Sequence, residues 1–239
     1  IVVDDMTQDS LGKMPYLSSR KDWIFFDKAY QNVALCCTAR ATLLTGQYDT
    51  HTGVINNQGA DDGRNLDDSQ TIGKWLNKKG YKTALMGKYL NHYPWNRGNG
   101  YIPPGWDKWF AFIGQADYYD YKINDNGKKV EYGNSKKDYS TDVLADEAVK
   151  FIKSTKKDPF FLYWAPKAPH APFEPAPRHK GTYKDEPIPP IANLNEGDVS
   201  DKPAYIQALP SLNRSEQDKN RRTQWEMLLA VDEAIKKIE

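Results

Sequence analysis

The chain has 239 residues, enough for one large domain or two small ones. Its 33 lysines and arginines against 32 aspartates and glutamates leave a net charge of +1, which argues against a dedicated nucleic-acid binder, because such proteins carry a basic excess. No apolar run approaches the ~20 residues of a membrane span, and the two cysteines, adjacent at Cys36 and Cys37, cannot staple distant segments.

The chain opens on Ile1-Val2-Val3 without an initiator methionine and closes inside a helical pattern at Ile235 to Glu239. It reads as a portion of a longer polypeptide, so the lack of a targeting segment carries no information. The β-branched opening predicts a short buried strand that delivers Asp4 and Asp5 at its C-terminal end, where sites of open α/β sheets lie. Adjacent carboxylates repel, which suggests a cation between them; hard oxygen ligands suit Ca²⁺ or Mg²⁺, and a turn or N-cap is the alternative role.

Further on, Leu35-Cys36-Cys37-Thr38-Ala39-Arg40 leads into a short helical run closed by Thr45-Gly46. A cysteine at a helix N-terminus meets free N–H groups and the positive end of the helix dipole, both of which favour an anion. Arg40 adds a planar fork of donors suited to a tetrahedral oxyanion. The plainer alternative is a pair of small buried hydrophobes.

Ser69 to Lys79 predicts a helix with Ile72, Trp75 and Leu76 on one face and Gly80 as its stop. Tyr81 to Met86 predicts a strand that ends in Gly87-Lys88-Tyr89-Leu90-Asn91 and so presents a lysine at the sheet edge. Tyr101 to Trp109, rich in proline, glycine and tryptophan, reads as a packed loop or a sugar platform. Asn126-Gly127 is a hairpin signal between Tyr118 to Ile123 and Lys128 to Tyr132. Ser140 or Thr141 is placed to cap a helix with Val143, Leu144, Ala148, Phe151 and Ile152 on one apolar face. Pro159 to Trp164 is the clearest buried strand, and it runs into a loop carrying His170, which by itself could equally be a histidine without a role. Phe173 to Pro210 reads as a long loop or lid. Asn213-Arg214-Ser215 is a glycosylation sequon, a short pattern that often occurs by chance, and Arg222 to Glu239 predicts a last helix. The alternation predicts a layered α/β fold: a mostly parallel central sheet with helices on both faces.

Several of these segments, in this order, resemble the sulfatase family of the alkaline-phosphatase-like superfamily. The signature around Cys36 and Arg40, the Gly87-Lys88 junction, Tyr139 to Ala145 and Ala168-Pro169-His170 all match, most closely in the branch of N-acetylglucosamine-6-sulfatases and secreted bacterial arylsulfatases. Thr38 stands where the family usually has proline. The resemblance implies that residues 1–239 are the N-terminal portion of one catalytic domain, with 172–212 as a loop or lid. It also implies hydrolysis of a small-molecule or glycan sulfate ester, with Cys36 oxidised to formylglycine by a formylglycine-generating enzyme. Cys36, Arg40, Lys88 and His170 would be catalytic; Lys88, His170 and Asn91 would contact substrate; Asp4, Asp5 and Cys36 would hold Ca²⁺, with Mg²⁺ as the alternative. No nucleic acid and no membrane span are expected, and the location would be secreted, periplasmic or lysosomal. The family's aspartate–asparagine pair has no counterpart after Arg222, so these residues alone are expected to bind metal poorly, to be inactive and to expose a sheet edge. A phosphodiester or phosphonate hydrolase of the same superfamily and a non-catalytic relative are the competing readings.

Overall fold

The computed structural model describes residues 1–191 and 193–239; Ala192, within the long proline-rich loop, lies outside the described residues. The helices are α1 (Pro15–Ser19), α2 (Cys36–Thr45), α3 (Asp49–Thr52), α4 (Ile72–Lys78), α5 (Ser140–Ser154), α6 (Ala204–Gln207) and α7 (Arg214–Ile238). The strands are β1 (Lys82–Gly87), β2 (Lys108–Phe112), β3 (Lys122–Asp125), β4 (Lys128–Glu131) and β5 (Phe160–Ala165). They form one five-stranded sheet in the order β4-β3-β2-β1-β5.

The sheet is mixed. β1 lies parallel to both β2 and β5, with Ala84 opposite Lys108 on one side and Leu162 on the other. β3 and β4 extend the sheet antiparallel. Their turn, Asn126-Gly127, has φ 46° and 91°, the two left-handed positions that a tight hairpin needs and that asparagine and glycine tolerate best. From Thr83 onward β1 is buried at every position, as expected of a strand covered on both faces. Ala84 and Met86 pack with α5, α7 and Trp164, whereas Leu85 packs with α2 through Ala41 and Leu44. The period-two alternation of a strand thus feeds two separate cores, and helices cover both faces.

Several local expectations fail for identifiable reasons. Ile1 to Val3 forms no strand: Val2 N–H reaches Trp164 O at 2.9 Å and Asp4 N–H reaches Ala168 O at 3.3 Å, and these two bonds do not close a ladder. The segment nevertheless runs beside β5 and carries Asp4 to the C-terminal edge of the sheet. α4 starts at Ile72, not Ser69, because Ser69 is held in a turn by the Asp67 carboxylate through its N–H and Oγ. Trp75 is 41% exposed and does not share an inward face. That face is taken by Trp106, whose ring occupies the space beside Gly73, 2.5 Å from where a Cβ would sit.

Neither Ser140 nor Thr141 caps α5. Both are buried in its first turn, and among the described residues neither hydroxyl has a hydrogen-bond partner. β2 lies partly within the segment read as a packed loop. α7 starts at Arg214, and the Asn213 side chain caps it by accepting Glu216 N–H at 3.2 Å.

In the long loop, Arg178 pairs with Asp142 of α5 and Glu233 of α7, and Tyr183 packs edge-on against Trp225. Among the described residues, none of this loop beyond His170 lines the cavities beside Cys36. A second irregular arm, residues 21–32, is exposed throughout, with Ile24, Phe26 and Tyr30 each at least 80% open to solvent.

Candidate active site

The site forms where α2, β1, β5 and the opening segment meet. α2 begins at Cys36, and its N-cap, Leu35, has no side chain that can bond the free N–H groups of the first turn. Asn57 supplies an acceptor from outside: its Oδ1 takes Cys37 N–H at 2.8 Å. Cys37 points into the core beneath α2 and is fully buried, with its sulfur 3.2 Å from Asn91 N–H. Cys36 is only partly buried and stays at the open end of the helix. The αL residue Gly46, at φ 69°, ends α2 after three turns.

One turn after Cys36, Arg40 is 2% exposed. Its Nη1 donates to the Lys88 carbonyl at 2.6 Å and its Nη2 to Asp4 Oδ1 at 3.0 Å. Lys88 follows β1 directly, and its Nζ donates to Asp4 Oδ2 at 2.5 Å. Burial alone would push the Asp4 carboxyl up, but the charges and hydrogen bonds of Arg40 and Lys88 outweigh it and hold Asp4 below the usual carboxylate range. Gly87 makes the approach possible. It sits at φ 107°, and a Cβ there would lie 2.0 Å from Ala165 O.

His170 enters from the loop after β5. Its Nδ1 lies 2.6 Å from Ala171 O; a carbonyl only accepts, so Nδ1 carries the proton and Nε2 faces the site. Nε2 is 3.6 Å from Asp5 Oδ2. The neighbouring His170 lowers the Cys36 thiol, against the effect of burial, and Cys36 raises the imidazole. Asp5 holds a left-handed backbone at φ 59° and is largely exposed. Asp4, Cys36 and His170 offer ligand atoms within 4.8 Å of one another. Asp4 is the carboxylate of this group, with Asp5 outside it; a carboxylate suits a hard divalent cation, and although each Asp4 oxygen already accepts one cationic donor, it has further lone pairs to share. The set therefore fits such an ion as part of a larger ligand shell.

Two cavities flank Leu35. One, of about 640 Å³, is bordered by Lys88, Asn91 and His170 together with Asn57 and Gln115; the other, of about 350 Å³, by Asp4, Asp5, Cys36 and Arg40. All seven residues singled out from the sequence thus come to one region. Asp4, Cys36, Arg40, Lys88 and His170 form its centre, Asp5 stands at the rim, and Asn91 lies along the larger cavity. Asn57 was missed; the signal for it was a helix start that lacked a capping side chain. A fully buried Lys167 paired with Asp117 at 2.7 Å was missed as well, and nothing local in the sequence announces it.

Comparison with known proteins agrees with this geometry. The sulfatase family model matches residues 4–238. N-acetylglucosamine-6-sulfatases from Capra hircus and Homo sapiens are each 33% identical over 256 residues, covering 100% of this chain and 46% of those proteins. The N-acetylglucosamine-6-O-sulfatase of Bacteroides thetaiotaomicron is 35% identical over 175 residues, which is 72% of this chain and 28% of that protein. The chain thus spans less than half the length of these relatives. Among solved structures, BT4656 in complex with its substrate D-glucosamine-2-N,6-O-disulfate superposes with a TM-score of 0.75 at 24% identity, covering 99% of this chain and 60% of that one; this likeness establishes the fold. No helix among the described residues is long and apolar enough to cross a membrane. With a family match over nearly its whole length, and the signature cysteine at the mouth of a cationic site, this chain belongs to the sulfatase family.

Proposed function

We propose that the protein carrying this chain hydrolyses sulfate monoesters, with a 6-sulfated amino sugar of a glycan as the substrate class. The observation that carries the reading is the convergence of Arg40, Lys88, Asp4 and His170 on Cys36 at the N-terminus of α2, in a member of the sulfatase family. The relatives' names supply the amino sugar.

Oxidised to formylglycine, residue 36 would supply the nucleophile for a sulfate ester, and a hard divalent cation would supply charge neutralisation beside it. Asp4 and Asp5 would hold that cation, Ca²⁺ first and Mg²⁺ as the alternative, beside residue 36. Arg40 and Lys88 place fixed positive charge around the sulfuryl oxygens, and donors of this kind typically contribute about 3–4 kcal/mol each to transition-state stabilisation. His170 has Nδ1–H committed to Ala171 O and presents Nε2 to the site; it is in the imidazolium form, with Nε2 also protonated, that it would pass a proton to the departing alcohol. Asn91, Asn57 and Gln115 along the larger cavity are neutral hydrogen-bonding groups of the kind that read sugar hydroxyls. Maturation by a formylglycine-generating enzyme and an extracytoplasmic location, whether secreted, periplasmic or lysosomal, belong to the same reading.

Mass spectrometry of the Cys36 peptide, after co-expression with a formylglycine-generating enzyme, tests it together with assays on paired sulfate and phosphate esters. The expected result is an aldehyde mass and turnover of N-acetylglucosamine 6-sulfate. An unmodified thiol supports a non-catalytic relative, and preference for the phosphate ester supports a phosphoester hydrolase.

A further inference from the structure

Lys167 is the one fully buried lysine among the described residues, 1% exposed. Its Nζ has a single hydrogen-bonding partner there, Asp117 Oδ1 at 2.7 Å, and stands 4.9 Å from the centroid of the Tyr118 ring. Burying an ammonium group costs more than a well-packed apolar side chain of the same volume would, so a buried pair is a weak source of stability. The pair needs another explanation, and the neighbouring bonds supply one.

Lys167 and His170 are the two ends of a single turn, in which His170 N–H donates to Lys167 O at 3.0 Å. The residues that hold those ends are themselves neighbours. Asp117 grips the Lys167 side chain, and Tyr118 OH donates to His170 O at 2.5 Å. Tyr118 is 1% exposed and stacks on the buried Tyr139, with ring centroids 5.8 Å apart and planes at 16°. The turn is therefore clamped at both ends by one rigid dipeptide. The ring of His170 has its Nδ1–H fixed by Ala171 O within the same loop, which leaves Nε2 as the only ring nitrogen directed at Asp5 and Cys36.

We propose that Lys167, through its ion pair with Asp117, is a positioning residue that fixes the tautomer and aim of the His170 imidazole. The inference rests on His170 belonging to the site described above, but not on the reaction assigned to it. Its test therefore needs no turnover.

The chain has only four histidines, so ¹⁵N-histidine labelling gives a simple imidazole spectrum, with His170 assigned by its absence in H170Q. At one fixed pH, the wild type is expected to show His170 in the Nδ1–H form with a resolved, slowly exchanging Nδ1–H signal. K167M and D117N should lose that signal and give averaged nitrogen shifts, whereas K167R should retain it. Asp117 is 41% exposed, so D117N decides the matter if K167M does not fold. A His170 signal unchanged in a folded K167M or in D117N would overturn the proposal, and so would its loss in K167R.

Discussion

Lys88 Nζ lies 2.5 Å from Asp4 Oδ2, with the two side chains 10% and 6% exposed. Because Arg40 holds the other oxygen of Asp4, the three residues are energetically unequal. D4N leaves two buried cations without their counter-charge and should cost about 3–5 kcal/mol, the range for breaking a buried pair from one side. K88M leaves Asp4 paired with Arg40 and should cost about 2 kcal/mol, the worth of one charged hydrogen bond. Guanidinium denaturation in the presence of a chelator checks the order; equal costs would mean that Arg40 alone does not neutralise Asp4.

The neighbouring thiols should differ sharply in reactivity. His170 lowers the Cys36 thiol, while burial raises Cys37. At a given pH below both values, a lowered thiol has more thiolate, the reactive form. In unmatured protein, iodoacetamide should therefore label Cys36 well before Cys37, with a pH midpoint for Cys36 below that of an ordinary thiol. H170A should move that midpoint upward, and each unit of rise removes about tenfold of the thiolate at lower pH. Peptide mass spectrometry over a pH series reads both effects, and a midpoint unmoved by H170A would refute the influence of His170 on this thiol.

Gly87 should tolerate no side chain. A Cβ would lie 2.0 Å from the Ala165 carbonyl oxygen, in a left-handed backbone, and β5 cannot retreat without breaking its register with β1. G87A should lower stability by about 2–4 kcal/mol. A thermal midpoint within a degree of wild type would show that the two strands part more easily than their pairing implies.

Asn213 begins a helix of 25 residues. N213A removes its cap and should cost about 1 kcal/mol, whereas N213D should be near neutral. Thermal melts followed by circular dichroism distinguish the two; equal losses would point to a role for this side chain other than accepting Glu216 N–H.

What the sequence displayed and what it hid divide along one line. Features set by neighbours in the chain were legible: the Thr45-Gly46 stop of α2, the Asn126-Gly127 turn, and the apolar run of β5 that delivers His170. β2 was hidden because its Trp109 and Phe110 follow a proline- and glycine-rich approach that masks strand character. The first two turns of α7 are polar on all sides, so no hydrophobic period marks them. Asn57 and the Lys167–Asp117 pair act across 20 and 50 residues of chain, and their partners become neighbours only once the sheet has formed.

The exposed aromatic arm of residues 21–32 has a practical consequence for anyone handling this polypeptide. It carries Lys21 and Lys28 in a stretch outside the two cores, which makes it the natural place for trypsin to cut. A nick there would separate Asp4 and Asp5 covalently from α2. The severed piece should stay docked all the same, anchored by Val2 N–H on Trp164 and by the Asp232 carboxylate, which caps α1 through Tyr16 and Leu17 N–H. A clipped sample would then run as two bands on a denaturing gel yet elute from a sizing column as one species.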